Sequence, residues 1–164
     1  MTNERVIKVG MADLQVIAEA GSLRTTGLGS CVGITLHDPK MHIAGMAHVM
    51  LPASDIVRDG PLNPAKYADT AIPLLVEQML DLGAQSRRLQ AKMAGGAQMF
   101  AFTGTNETMR IGWRNVETCK AILQRFSIPL IAEDTGGNFG RTIEICSVTG
   151  ILMIRSVQYG VKEI

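Results

Sequence analysis

Aromatic residues make up only 4% of this 164-residue chain, and no block of lysine or arginine stands anywhere in it. A surface for single-stranded nucleic acid needs aromatic platforms, and one for duplex needs clustered cations, so a nucleic-acid partner is not expected. The net charge of +1 points the same way. The longest apolar run, residues 43–51, is too short to span a bilayer and carries His48, so the protein is not expected to insert in a membrane. No long apolar stretch follows the polar start Met1-Thr2-Asn3-Glu4-Arg5, so no secretory leader is expected. Cysteines number three, an odd count without a secretory signal, which favours free thiols in a cytoplasmic protein over a disulfide framework. His37, His42 and His48 lack a Cys-x-x-Cys or His-x-x-x-His companion, so no metal and no other cofactor is expected.

Familiar nucleotide and hydrolase signatures are missing as well. Gly27, Gly29 and Gly33 are spaced Gly-x-Gly-x-x-x-Gly, one residue off the dinucleotide fingerprint, with no long helix following. The same segment lacks the lysine of a P-loop. Ser30 does not sit in a Gly-x-Ser-x-Gly elbow.

What is present is a folded-domain composition, with 46% hydrophobic and 19% charged residues. One domain over residues 1–164 can bury a sizeable core. Short β-patterned runs stand at 5–9, 14–18, 23–26, 32–37, 43–51, 89–94 and 128–132, and a hairpin is expected from 142–148 and 151–157 about Thr149-Gly150. A helix is expected over 64–82, opened by Asn63-Pro64 and closed by Gly83. Pro73 should kink or break it near Ala71, because proline removes a hydrogen bond and clashes with the Asp69 carbonyl. A second helix over 112–126 carries the stripe Val116, Cys119, Ile122, Leu123 and Phe126, which makes Cys119 a buried core thiol. Strand pairs early and late with two helices between give an α+β (mixed α/β) fold. The polar stretch 52–64 reads equally as a lid or a plain connection.

The chemistry-bearing segment is Thr25-Thr26-Gly27-Leu28-Gly29-Ser30-Cys31-Val32-Gly33, followed by Gly45-Met46-Ala47-His48-Val49-Met50-Leu51-Pro52. A glycine-rich turn can aim backbone N–H groups at an oxygen, and a cysteine beside it can be nucleophile and oxyanion neighbour together. If runs 32–36 and 43–51 are adjacent strands, Cys31 and His48 lie toward one end of the pair. By patterning alone two readings stand: a thiolate–imidazole pair, or a buried small hydrophobe and a satisfied core histidine. Glycine-rich junctions also follow later strands at Gly95-Gly96 and Gly136-Gly137, and all three either line one pocket around Cys31 or are separate tight turns.

These motifs, with Lys66-Tyr67-Ala68-Asp69, Lys92-Met93-Ala94-Gly95-Gly96-Ala97, Gly112…Arg114-Asn115-Val116 and Ala132-Glu133-Asp134-Thr135-Gly136-Gly137, resemble the CheD family of bacterial chemotaxis, the chemoreceptor glutamine deamidases. The resemblance implies catalytic roles for Cys31, His48 and Thr25. Thr26 stands where leucine is expected, which offers a second hydroxyl for the third role, and Asp134 is a further candidate partner of the imidazole. Backbone amides of Gly29, Ser30 and Cys31 would hold the oxyanion. An ordinary thiol titrates near about 8.5, and an imidazolium at His48 would lower Cys31 toward a thiolate. The resemblance further implies a strand sandwich flanked by helices, similar to the cysteine-hydrolase fold of the cytotoxic necrotizing factor toxins. Its implied partners are methyl-accepting chemotaxis receptors, as substrates, and the CheC phosphatase. The loops at 52–64 and 100–108, with Phe100 and Phe102, are the candidate partner surfaces.

Overall fold

The computed structural model describes residues 5–54, 61–99 and 110–164. The candidate partner loop at 100–108, Phe100 and Phe102 included, and residues 55–60 of the other lie outside the described residues. Among the described residues, ten strands form two five-stranded sheets, and two α-helices, one on either side of the sixth strand in sequence, complete the fold. Sheet I runs β1 (Arg5–Lys8), β3 (Gly21–Leu28), β8 (Arg141–Cys146), β9 (Leu152–Ser156) and β10 (Gly160–Glu163). Sheet II runs β2 (Leu14–Ile17), β5 (Ile43–Val49), β4 (Val32–Asp38), β6 (Gln90–Gly95) and β7 (Leu130–Thr135). Each sheet is mixed, because β1–β3 and β6–β7 pair parallel and the other neighbours antiparallel.

The layer order follows from which faces are apolar. On β4, Val32, Ile34 and Leu36 join a core with Ala71, Ile72, Leu75 and Met79 of α1 (Ala68–Asp81) and Val116, Cys119 and Leu123 of α2 (Ile111–Arg125). On β5, Ala44 and Met46 face the other way, into a second core with Leu23, Ile143, Ile145 and Leu152 of sheet I. The molecule is therefore a strand sandwich with both helices on one outer face. Central β4 and β5 are buried at every position, which is why run 43–51 is apolar almost throughout. Since side chains alternate along a strand, His48 takes the face of Ala44 and Met46, toward sheet I.

Structure and expectation differ in three places. The first helix does not break at Pro73. Instead a short 3₁₀ turn, Pro64–Lys66, ends at Tyr67, whose extended backbone bridges Leu51, and α1 then runs unbroken through Pro73. Tertiary pairing of the chain at Leu51 sets that boundary. The run expected at 23–26 is longer at both ends, since β3 starts at Gly21 and reaches Leu28, and it pairs with both β1 and β8. Strand β10 was not expected, because all four of its residues are exposed and leave no alternating pattern. The second helix and the late hairpin fall within a residue or two of their expected places.

Candidate active site

Thr25 faces inward by the ordinary alternation of β3, two residues on from buried Leu23 and in regular register with Ile143 of β8, and a β-bulge follows it. Between Thr25 and Leu28, β3 advances three residues while β8 advances two, from Ile143 to Arg141. Gly27 takes up the extra residue at φ +72°, a region glycine adopts without strain. Leu28 is thereby buried as Thr25 is, and Thr26 is left exposed. The structure thus separates the two hydroxyls: Thr25 faces His48, and Thr26 faces solvent.

His48 lies opposite Gly33 in the β4–β5 ladder and is fully buried. Its Nδ1 is 2.7 Å from Thr25 Oγ1, a bond that crosses between the two sheets. Thr25 Oγ1 in turn donates to the Val9 carbonyl at 2.7 Å. A hydroxyl has one proton, and a carbonyl can only accept. Thr25 therefore spends its proton on Val9, and His48 Nδ1 must be the donor in the second bond. In the neutral imidazole this leaves Nε2 bare, as a base. Nε2 is buried with no hydrogen-bond partner among the described residues. The β1–β2 connection closes over the backbone here, through Ala12 N–H to His48 O at 3.1 Å and His48 N–H to Asp13 O at 2.9 Å.

Cys31 immediately precedes β4 and packs in the core between the sheets, the face that His48 occupies. It is buried, with 8% of the residue exposed. No hydrogen bond joins its thiol to His48, so the two meet only as neighbours on one face. Burial pushes the Cys31 thiol up, with its own backbone N–H pulling it back down, and burial pushes His48 down. Both directions favour a neutral thiol beside a neutral imidazole. The expected resting thiolate–imidazolium pair is thus disfavoured by desolvation.

The glycine junctions are contiguous. Gly96 N–H donates to the Cys31 carbonyl at 2.9 Å, and Ala97 N–H to Gly29 O at 2.8 Å. Gly95 sits at φ +111°, where a Cβ would run into the Cys31 carbonyl. Gly136 N–H donates to Gly95 O at 2.9 Å, and Gln98 N–H to Gly137 O at 2.9 Å. Among the expected oxyanion amides, Gly29 N–H is already spent on Gly27 O at 3.2 Å. Asp134 is not brought to the imidazole, because it pairs with Arg141 and Lys162, each at 3.2 Å.

Two residues of the site escaped sequence reasoning. Arg141 is buried, and its Nη1 donates to Gly136 O at 3.0 Å and Gly95 O at 3.4 Å. The signal was an arginine at an inward position of an alternating strand. Asn115 is fully buried on α2, and its Nδ2 donates to Ser30 O at 3.0 Å and Met50 O at 3.1 Å. Beyond its place in the Arg114-Asn115-Val116 motif, its one signal was a polar residue on the apolar side of α2, four residues before Cys119. An open cleft of about 550 Å³ abuts the site through Gly27 and Met99 and extends past Phe139 and Arg155. Cys119 is inert by comparison, a fully buried thiol pushed up to about 12. Among the described residues no cluster of His, Cys, Asp and Glu could hold a metal ion, and no helix is long and apolar enough to cross a membrane.

Comparison with known proteins covers the whole arrangement. Residues 50–156 match the family model described as CheD chemotactic sensory transduction. That stretch begins after Thr25, Cys31 and His48, but curated relatives extend across them. The chain is 54% identical to a chemoreceptor glutamine deamidase CheD of Halalkalibacterium halodurans, over 97% of this chain and 98% of that one. It is 47% identical to a protein of the same name from Bacillus subtilis, over 99% of this chain and 98% of that one. A probable chemoreceptor glutamine deamidase CheD from Desulfitobacterium hafniense is 52% identical over 97% of this chain and 98% of its own length. On both the family match and these near-full-length identities, the chain belongs to the CheD family.

Proposed function

We propose that this chain deamidates glutamine side chains of methyl-accepting chemotaxis receptors, with Cys31 as nucleophile, His48 as base and acid, and Thr25 holding His48. The observation that carries the reading is the Val9–Thr25–His48 chain of hydrogen bonds, which leaves a bare, buried Nε2 on the face that Cys31 occupies. A structural histidine has no use for such an atom, since an unpaired buried acceptor costs about 1–3 kcal/mol.

The chemistry runs from the neutral pair. Nε2 takes the Cys31 proton as sulfur attacks the carboxamide carbon, so a C–S bond forms and the carbonyl π pair moves to oxygen. The Cys31 N–H, which already faces its own thiol, and the Ser30 N–H supply the oxyanion donors. His48 returns its proton to nitrogen, the C–N bond breaks, and ammonia departs. Nε2 then draws a proton from water, which attacks the thioester and releases glutamate and the free thiol. Proton transfer during attack removes the need for a resting thiolate that burial disfavours. Catalytic hydrogen bonds absent in a free enzyme often form only with substrate in place.

In this reading residues 1–164 are one cytoplasmic deamidase domain, and the sandwich with helices on one face is the cysteine-hydrolase architecture of the cytotoxic necrotizing factor toxins. A second role, binding and stimulating the CheC phosphatase, is favoured by the exposed Val157, Tyr159 and Val161 at the β9–β10 end, which are 104%, 71% and 54% accessible. Peptide mass spectrometry of a receptor cytoplasmic fragment tests the catalytic reading. Glutamine should become glutamate with the wild type and not with Cys31→Ala. No conversion by the wild type on a folded fragment overturns it, and phosphatase stimulation that survives Cys31→Ala would then leave the binding role standing alone.

A further inference from the structure

Asn115 stands where the two chemistry-bearing segments meet. Its Nδ2 reaches Ser30 O, just before the nucleophile, and Met50 O, two residues past His48. Two carbonyl acceptors fix which end of the amide is nitrogen, since the flipped form would set Oδ1 against both. The remaining Oδ1 is buried without a partner among the described residues. The side chain thus carries an unsatisfied acceptor in order to place two donors.

Those donors act on a peptide plane that matters. Ser30 C=O and Cys31 N–H belong to one planar unit, and the chain has no cis bond among its described residues. In a trans peptide the two groups point in opposite directions. Holding Ser30 O toward α2 therefore aims Cys31 N–H away from α2, toward the thiol and the oxyanion that would form beside it. The bond to Met50 O ties the end of the His48 strand to the same amide group. We infer that Asn115 is a positioning residue for deamidation, one that sets the Ser30–Cys31 peptide plane and so preorganises the oxyanion donor. The inference rests on the deamidase reading above.

The test separates the oxyanion donor from the thiol. Iodoacetamide alkylates Cys31 without forming an oxyanion. A receptor peptide carrying glutamate semialdehyde in place of its glutamine adds to the same thiol and does form one. With the full-length chain, Asn115→Ala should lower kcat on the receptor fragment by about 10- to 100-fold, with KM within about twofold. Affinity for the semialdehyde peptide should fall by a similar factor, and the alkylation rate and its pH profile should hold within about twofold. Asn115→Ser, which keeps one hydroxyl donor in a smaller side chain, should recover part of kcat and serves also if the alanine variant unfolds. Unchanged kcat overturns the inference. So does an alkylation rate that falls in step with kcat, or failure of both variants to fold, since each makes Asn115 a scaffold residue only. A wild type that alkylates at Cys31 but forms no glutamate overturns the deamidase reading instead.

Discussion

His37 and His48 stand toward opposite ends of the β4–β5 pair, both buried, both facing sheet I, and both lowered by burial from the ordinary imidazole value. They differ in one atom. His37 Nε2 lies 2.7 Å from the Ser147 carbonyl, whereas His48 Nε2 has no partner. Their surroundings repeat the contrast. Beside His37, Asp38 receives two bonds from Arg88 at 2.9 Å and backbone N–H bonds from Gln85, Lys40 and Met41. Beside His48, Asn115 leaves its Oδ1 unpaired. Buried polar groups are nearly always paired, so one end of this strand pair is finished as structure and the other is left open for chemistry.

The sharpest break in the comparison comes from the open end. Cys31→Ala or His48→Gln should lower turnover by about 10³-fold or more, the range expected when a nucleophile or its acid–base partner is lost. Wild-type turnover should persist to the acid side of 6.5, because burial keeps His48 neutral below its ordinary value. Thr25→Ala comes next. It frees the imidazole to take either tautomer and should cost kcat about 10- to 100-fold, and Thr25→Ser should retain most activity. A steady-state comparison of the four variants orders them. Equal loss in Thr25→Ala and Cys31→Ala would mean that the threonine does more than orient.

This contrast was only half legible in the sequence. Cys31 and His48 could be placed near one end of a strand pair, because periodicity fixes which runs are strands and a short turn at Asp38-Pro39 makes them neighbours. The role of Thr25 was not legible by that route. Alternation puts Thr25 on the inward face of β3, but which residue it meets across the gap depends on how the two sheets stack, and β3 itself is placed by pairing with β8, 120 residues distant in sequence. Thr26 and Asp134 stayed open as further partners beside Thr25 for the same reason: a strand pattern says which face a residue takes, never which residue lies across the gap. Asn115 and Arg141 act on backbone carbonyls, and no pattern of side-chain types encodes such a contact. Helix α1 shows the same limit from the other side: Asn63-Pro64 does open a helical turn, but the bridge between Tyr67 and Leu51 parts that turn from α1, which then runs through Pro73.

Asp38 sharpens the finished end. Burial alone would raise its carboxyl, but Arg88 and the backbone amides hold it down at about 2. A lowered acid contributes stability above its unfolded value of 3.8 and loses it as pH falls from there toward about 2. Asp38→Asn should therefore destabilise the fold by about 3 kcal/mol near neutrality, leaving Arg88 unpaired. The gap between variant and wild type in urea unfolding should close in strong acid. Turnover per folded molecule should stay at the wild-type level. An activity loss beyond the unfolded fraction would show that the two ends of β4 are not independent.

His37 makes the smallest and most diagnostic case. Its bond to the Ser147 carbonyl is an ordinary buried one, so His37→Gln should cost about 1 kcal/mol of stability at about pH 8 and nothing in kcat. The sign of the pH effect follows from burial, which lowers the folded value and outweighs the raising effect of the Ser147 carbonyl. Between that lowered value and 6.5 the unfolded chain binds the proton that the folded chain refuses, so wild-type stability is full above 6.5 and declines as pH falls through it. Glutamine does not titrate, so the variant escapes this part of the decline, and the difference between the two proteins should shrink at about pH 5.5. Only the share belonging to His48 then remains, since its lowered value acts in the same direction. A gap that widens in acid would mean that His37 is held protonated in the folded protein, as the donor to Ser147. A fall in kcat would mean that the satisfied histidine, despite its carbonyl partner, is coupled to the open one.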